Sequence, residues 1–118
     1  MNITEEELKS LKDSFSACSP LFTALGDEIR QKLLLDIIDT GEEGANVMTL
    51  TSMSHLSRPA ISHHLKILKD TGFVKTIKTG TQVFYRIDIN RNLENINALI
   101  QSIQKILKKI KNEGTEND

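Results

Sequence analysis

The sequence predicts a mainly α-helical domain with one small β-hairpin, in the order α-α-α-α-β-β-α. Three observations predict this fold class. Residues 57–70 begin with a helix cap and continue with an amphipathic helical pattern. Residues 73–88 contain two β-rich segments on either side of Gly80. Large aliphatic residues then recur at spacings of three and four over residues 93–110, which is typical of one long helix with an apolar seam.

The first predicted helix covers residues 5–17, with a short helical continuation from Pro20 to Leu25. Proline is tolerated in the first turn of a helix, because the N–H groups there have no intrahelical partner. Gly26 is expected to end this continuation. The apolar face of the first helix carries Leu8, Leu11 and Phe15.

The next helix is predicted to begin at Asp27, whose carboxylate can accept from free N–H groups, and to end at Gly41. Its inward face is expected to carry Ile29, Leu33 and Ile37. After a polar loop, residues 47–48 are expected to form a short strand. Thr49 is then expected to cap a brief helix over residues 50–55.

The helix that follows Ser57 has the clearest pattern in the chain. Ser57 is a good N-cap, and Pro59 falls in the first turn. One stripe of this helix is predicted to be buried and contains Ile61, Leu65 and Leu68. The opposite face carries Ser62, His63, Lys66 and Lys69. Small polar, imidazole and cationic groups on one helix face are suited to the DNA major groove, so we expect His63 to face DNA and His64 to pack at the flank.

The hairpin is predicted from strands at residues 73–78 and 82–88 and a turn at residues 79–81, where Gly80 allows φ > 0. Lys75 and Lys78 are expected on one face of the first strand. Exposed lysines protect a hairpin edge from pairing with another chain, and the same exposure is compatible with contact to a DNA backbone.

The last predicted helix runs from about Asn92 to Lys111. A monomer of this size would leave its apolar seam in water, which predicts that this helix and the first one join two copies of the chain. The seam carries Leu93, Ile96, Ile100, Ile103, Leu107 and Ile110. The expected organisation is one domain over residues 1–111, with a DNA-binding core at about 20–90, dimerisation helices at about 5–18 and 92–111, and a flexible tail over 112–118.

The charge distribution supports a nucleic-acid partner even though the net charge of the 118 residues is only −1. Residues 58–86 carry six Lys or Arg and a single Asp, whereas residues 1–45 carry four Lys or Arg and ten Asp or Glu. Positive charge is therefore concentrated on the capped helix and the hairpin. The chain has no long apolar run and one cysteine, so we expect a soluble cytoplasmic protein without a membrane segment or disulfide.

These patterns together predict a sequence-specific binder of double-stranded DNA. The capped helix is expected to enter the major groove, and the hairpin is expected to contact the flanking backbone or minor groove. The predicted DNA-binding residues are Ser57, Arg58, Pro59, Ser62, His63, Lys66, Lys75, Lys78, Thr79, Thr81 and Gln82.

The predicted order of elements is a helix, a turn, a helix and a hairpin, flanked by terminal helices. This order resembles the ArsR/SmtB family of small winged helix-turn-helix repressors. Residues 25–30, Leu-Gly-Asp-Glu-Ile-Arg, resemble the family's Leu-x-Asp-Pro-x-Arg motif, with Glu28 in place of the usual proline. Residues 57–68 resemble its recognition helix, and residues 72–87 resemble its wing. The resemblance implies a homodimeric repressor that binds operator DNA.

The sequence departs from the family at the positions that sense metals. One family site uses Cys-x-Cys where this chain has Asn46-Val47-Met48, and another uses Asp and His ligands on the last helix. Residues 91–111 contain neither His nor Asp. Soft and borderline metals need thiolate or imidazole ligands, so neither site is expected to form, and no cofactor is expected.

Two alternative functions remain open at this point, while catalysis has no support. The fold could serve as a protein–protein module that has lost DNA binding, although the positive segment argues against this. Cys18 is a candidate redox switch across a dimer, although a buried unreactive cysteine is the commoner case. Paired carboxylates, a phosphate-binding loop and a catalytic triad are all missing from the sequence, so an enzyme is not expected.

Overall fold

The computed structural model describes the backbone of residues 3–116 and the side chains of residues 3–112. It confirms the mainly helical fold with a β-hairpin, and the short continuation after the first helix is a separate helix. The elements are α1 (Glu5–Ala17), α2 (Ser19–Leu25), α3 (Glu28–Asp39), a 3-10 turn (Gly41–Glu43), α4 (Val47–Ser52), α5 (Arg58–Asp70), β1 (Val74–Thr79), β2 (Gln82–Ile87) and α6 (Asn90–Glu116).

Side-chain caps fix the starts of the helices. The Thr4 hydroxyl accepts from the Glu7 N–H while the Glu7 carboxylate accepts from the Thr4 N–H, a capping box at the start of α1. Asp27 caps α3 by accepting from the Ile29 N–H at 2.8 Å. Ser57 caps α5 by accepting from the Ala60 N–H at 3.3 Å. The caps predicted at Asp27 and Ser57 are therefore confirmed.

The chain divides into two compact units. The core unit is residues 20–90, and the helix-pair unit consists of α1 and α6. The core unit encloses a hydrophobic cluster to which α3, α5 and the start of β1 all contribute. Its buried members are Ala24, Leu33, Ile37, Ala45, Leu50, Ile61, Leu65, Leu68, Phe73 and Val74. The buried stripe predicted for α5 is confirmed. The expectation that Ile29 faces inward is wrong, since it is 37% exposed.

The hairpin is tied to the rest of the core unit through Ala45. β1 and β2 pair antiparallel from Val74 opposite Ile87 to Thr79 opposite Gln82. Ala45 forms an isolated bridge with Tyr85, with backbone N···O distances of 3.0 and 2.7 Å. Gly44 allows the backbone to adopt the conformation that this bridge requires. Its φ of 75° and ψ of −172° belong to a region that only glycine adopts readily.

Two sequence predictions in this region are wrong. Val47 and Met48 are the first residues of α4 and not a strand, because the Asn46 side chain accepts from the Thr49 N–H at 2.8 Å and starts the helix three residues early. The helix also ends at Ser52 and does not reach residue 55. The β pairing expected here is restricted to Ala45.

The prediction that Lys75 and Lys78 share one strand face is also wrong. Successive side chains alternate faces in a β-strand, so residues three apart point to opposite faces. Lys75 pairs in register with Arg86 at the base of the hairpin, and Lys78 pairs with Val83 near its tip. The two lysines therefore occupy different surroundings.

The helix-pair unit holds α1 and α6 in antiparallel contact. The ion pair of Lys109 with Glu7 joins them at one end. At the other end the Asn95 side-chain amide donates to the Ala17 carbonyl at 3.3 Å. The hydrogen bond from Lys109, with help from the Thr4 N–H, lowers the pKa of Glu7 to about 2. Leu99 and Ile106 on α6 are buried.

The nine apolar residues predicted for the dimer interface, three on α1 and six in the seam of α6, are largely exposed in the single chain. Leu11, Ile96 and Ile103 are half-buried. The remaining six are 44–56% exposed: Leu8, Phe15, Leu93, Ile100, Leu107 and Ile110. The predicted end of the last helix at Lys111 is wrong, since α6 continues to Glu116. Each residue added to an established helix gains one backbone hydrogen bond, which favours continuation of the helix beyond Lys111. Of the predicted flexible tail, residues 117–118 lie outside the described part of the chain.

Candidate nucleic-acid interface

The outer face of α5 presents polar and cationic groups over its whole length. The hydrophobic stripe of Ile61, Leu65 and Leu68 anchors the helix in the core, which leaves the opposite side in solvent. The predicted DNA-binding residues on this helix are all exposed: Arg58, Pro59, Ser62, His63 and Lys66, together with the cap Ser57. The Ser57 hydroxyl already accepts from the Ala60 N–H, so its hydrogen remains available for donation.

One carboxylate lies on the same helix face. The Lys66 ammonium donates to Asp70 at 2.7 Å, and this hydrogen bond raises the pKa of Lys66. Both side chains are exposed, with 74% and 59% of their surfaces accessible. A phosphate that binds Lys66 therefore has to compete with Asp70. Since such exposed pairs contribute little stability, a phosphate can displace Asp70 at small cost.

The hairpin tip lies near the N-terminal end of α5. Gly80, with φ of 64°, lets the two-residue connection close between Thr79 and Gln82. A groove of about 270 Å³ runs between the tip, the start of α4 and the start of α5. It is lined by Asn46, Val47, Met48, Arg58, Thr81, Gln82 and Val83. Three of the predicted DNA-binding residues, Arg58, Thr81 and Gln82, thus border one groove.

Lys75 does not belong to this group. It lines a separate groove of about 290 Å³ with Ile38, Gly41, Glu42, Arg86 and Ile87. The carboxylate of Glu42 is part of that groove, which makes it a less favourable place for phosphate than the tip. The structure therefore places ten of the eleven predicted residues on α5 and the hairpin tip, and Lys75 at the hairpin base.

Asn46 is a polar residue of this surface whose role as a helix cap was not predicted from the sequence. Its carbonyl oxygen caps α4, while its amide nitrogen donates to the Gln82 side chain at 3.4 Å. It thereby links the start of α4 to the hairpin tip. The signal in the sequence was an asparagine three residues before Thr49, a favourable capping arrangement.

Arg30 is the second residue whose role the sequence did not reveal. Its side chain is 11% exposed. It donates to the carbonyls of Thr23 and Ala24 and contacts the His64 ring of α5. His64 packs at the helix flank, as expected, and burial lowers its pKa.

The possible metal ligands and the cysteine of the described residues do not form a metal or redox site on this surface. Among residues 3–112, no three His, Cys, Asp or Glu side chains cluster as a metal site would require. Cys18 is fully buried, which places its thiol out of reach of solvent oxidants in this conformation. No helix of the described chain is both long and apolar enough to cross a membrane.

Comparison with known proteins identifies the family. Residues 31–76 match the family model described as bacterial regulatory protein, arsR family. An uncharacterised HTH-type transcriptional regulator of Methanocaldococcus jannaschii is 34% identical over 84 residues, which cover 71% of this chain and 92% of that protein. The arsenical resistance operon repressor of Staphylococcus xylosus is 33% identical, over 72% of this chain and 85% of the repressor. The transcriptional repressor SdpR of Bacillus subtilis is 29% identical, over 72% and 91%.

Solved structures agree with this result. HlyU from Vibrio cholerae has 29% identity and a TM-score of 0.58, over 73% of this chain and 90% of that one. An ArsR-like transcriptional regulator from a Rhodococcus species has the same fold at 23% identity, with a TM-score of 0.63 over 88% and 92%. The winged helix-turn-helix core, its exposed cationic face and these similarities lead to one conclusion: the chain belongs to the arsR family of DNA-binding transcriptional repressors and is not an enzyme.

Proposed function

We propose that this protein represses transcription as a homodimer that binds an inverted-repeat operator with α5 and the hairpin tip. The observation that carries the proposal is the groove bordered by Arg58 at the start of α5 and by Thr81 and Gln82 at the hairpin tip. Cationic and polar groups from two elements there face the same solvent region. A duplex with its major groove against α5 would bring its backbone to the hairpin.

The residues divide into two roles in this proposal. Base contacts come from the exposed face of α5. On this face, Arg58 and His63 have the side chains best suited to hydrogen-bond base edges. Backbone contacts come from the hairpin tip, where Lys78 supplies charge and hydroxyl and amide groups supply hydrogen bonds. The full set is Ser57, Arg58, Pro59, Ser62, His63 and Lys66 on or before α5, and Lys78, Thr79, Thr81 and Gln82 on the hairpin.

A second copy of the chain is the proposed occupant of the exposed seam. Six large apolar side chains on α1 and α6 are 44–56% exposed, and a monomer would leave them in water. The spacing on α6 is that of helices that pack against a partner helix. Two-fold symmetry would then place two α5 helices about one DNA helical turn apart, or a multiple of it.

We further propose that the regulator does not respond to metals at the family's usual positions. Asn46 and Met48 stand where thiolates would be, and Asn46 is occupied as a helix cap. Zinc, cadmium, cobalt and arsenite are expected to leave operator affinity unchanged at low micromolar concentration. A stoichiometric loss of binding with any of them would contradict this and point to His55, His63 or His64.

The DNA-binding proposal is tested by fluorescence anisotropy on a duplex that the protein selects from random-sequence DNA. Arg58→Ala and His63→Ala should each weaken specific binding by about 1–3 kcal/mol, since each removes a base contact. Lys78→Ala should weaken binding to all sequences and reduce the slope of log affinity against log salt by about 1.

Lys12→Ala is the matched control, because Lys12 is also an exposed lysine but lies on α1. It should leave both affinity and salt slope unchanged. Unaltered affinity in Arg58→Ala, His63→Ala and Lys78→Ala, with the fold intact by circular dichroism, would place the DNA-binding surface elsewhere.

A further inference from the structure

Arg30 connects α5, the helix proposed to contact DNA bases, to the junction of α2 and α3. Its Nε donates to the Ala24 carbonyl at 3.0 Å, and its Nη2 donates to the Thr23 carbonyl at 2.9 Å. Its Nη1 lies 3.2 Å from Nδ1 of His64 and 3.6 Å from the Asp27 carboxylate. One largely buried guanidinium thus holds the end of α2, the cap of α3 and the flank of α5 together.

The contact with Arg30 determines the protonation state of His64. A guanidinium can only donate hydrogen bonds, so Nδ1 of His64 has to accept. The ring is therefore neutral, with its hydrogen on Nε2. A protonated ring would place a hydrogen on Nδ1 against the Arg30 nitrogen and bring two cations into contact.

We propose that Arg30 and neutral His64 form a clamp that holds α5 in its DNA-binding orientation and opens when His64 is protonated. The proposal rests on the DNA-binding function above and adds a positioning role for two residues that are not themselves DNA contacts. His64 lies next to His63 and two residues from Ser62, so a shift of its flank moves the proposed base contacts.

The charged groups around His64 set the direction of the pH effect. The centroid of the adjacent His63 ring lies 5.4 Å from that of His64. His63 and Arg30 both disfavour a positive charge on His64, whereas Asp27 favours one. Burial is the largest influence, and the net result is a pKa below the ordinary 6.5. In the unfolded chain His64 therefore takes up protons more readily, so the clamp contributes fully above pH 6.5 and is lost as the pH falls below it.

His63 is a second imidazole on the DNA-facing side and a proposed base contact, so the experiment has to remove its contribution. The parent protein for the test is therefore His63→Gln. Its affinity is measured by anisotropy at pH 7.5 and 5.5 on a duplex that it selects from random-sequence DNA at pH 7.5.

Three proteins share this background. The parent should lose affinity as the pH falls from 7.5 to 5.5, toward the roughly tenfold limit set by loss of the Arg30–His64 hydrogen bond. Adding His64→Asn keeps an acceptor near the position of Nδ1 but cannot titrate, so affinity at pH 7.5 should stay within about threefold and the pH dependence should vanish. Adding His64→Leu removes the acceptor and should weaken binding about tenfold at both pH values.

An unchanged fall in affinity for His64→Asn, or no fall for the parent, would overturn the clamp, provided that circular dichroism shows intact folds. Failure to select any duplex would instead contradict the DNA-binding proposal. In that case, long-range proton–nitrogen NMR of His64 at pH 7.5 tests the clamp without reference to DNA binding. A hydrogen on Nε2 supports the clamp, and a hydrogen on Nδ1 overturns it.

Discussion

The two units of this protein satisfy their apolar residues in different ways. The core unit encloses ten buried residues, and Gly44 and the largely buried side chain of Arg30 fix its connections. The helix-pair unit buries Leu99 and Ile106 but leaves six large apolar side chains 44–56% exposed. The core unit also exposes seven large apolar side chains, but these surround a cluster of ten buried residues. Among the residues that the structure describes, the helix pair has no comparable cluster around its exposed residues, which is what the dimer interface proposed above would require.

The largest expected effect comes from a charge in the exposed seam. Leu107→Glu should convert the protein to monomers, because burying a carboxylate in an apolar interface removes its hydration at a large cost in free energy. Specific DNA affinity should fall by about a hundredfold or more, since two half-sites no longer act together. Size-exclusion chromatography with light scattering measures the mass.

Leu35→Glu is the control for that substitution. Leu35 is 65% exposed, but it lies on α3 in the core unit, outside the proposed seam. Its mass should equal that of the wild type. A wild-type mass for Leu107→Glu as well would remove the distinction between the two units.

The next effect tests how the core unit holds its hairpin. A Cβ at Gly44 would lie 2.5 Å from the Tyr85 carbonyl oxygen, and the backbone there has a φ of 75°. Gly44→Ala should therefore cost about 2 kcal/mol or more of unfolding free energy. Gly41→Ala has the same kind of φ, 63°, but open space around the added atom, and should cost about 1 kcal/mol. Equal losses in urea unfolding would mean that the contact with Tyr85 is unimportant.

A smaller effect tests the helix pair through the acid dependence of its stability. The pKa of Glu7 falls from 4.5 to about 2 mainly through the hydrogen bond from Lys109. The ionised carboxylate therefore favours the folded state above pH 4.5, and this stabilisation is lost as the pH falls toward 2. Glu7→Gln should melt lower than the wild type at pH 6, and the difference should shrink at pH 2.5.

Glu6→Gln is the control, because Glu6 is an exposed neighbour on the same turn of α1. Its melting temperature should follow that of the wild type across this pH range. A constant difference between Glu7→Gln and the wild type at all pH values would contradict the assigned ion pair.

The sequence predicted the elements whose signals are local. Ser57 and the spacing of Ile61, Leu65 and Leu68 define α5 without reference to the rest of the chain. The start of α4 was missed because residues 47–48 suit a strand as well as a helix, and the decision depends on the Asn46 side chain. The wrong face for Lys75 was an error of period, since three residues reverse a side chain in a strand.

Contacts between distant residues were beyond the sequence. Arg30 and His64 are 34 positions apart, and no local pattern pairs them. Similarly, the alternating spacing on α6 did not reveal that Leu99 and Ile106 are buried while Leu93, Ile100 and Leu107 are exposed. Seam and buried face lie on adjacent strips of one helix, and the spacing alone does not separate them.

In the proposed complex, two copies of α5 and its hairpin, joined through the helix pair, bind one operator. The most direct measurement is light scattering of the complex with a selected inverted-repeat duplex, and with the same duplex after insertion of half a helical turn between half-sites. We expect two chains on the first duplex and loss of this complex on the second, because the two α5 helices would face opposite sides of the DNA. A single chain per duplex, or equal binding to both duplexes, would contradict the account.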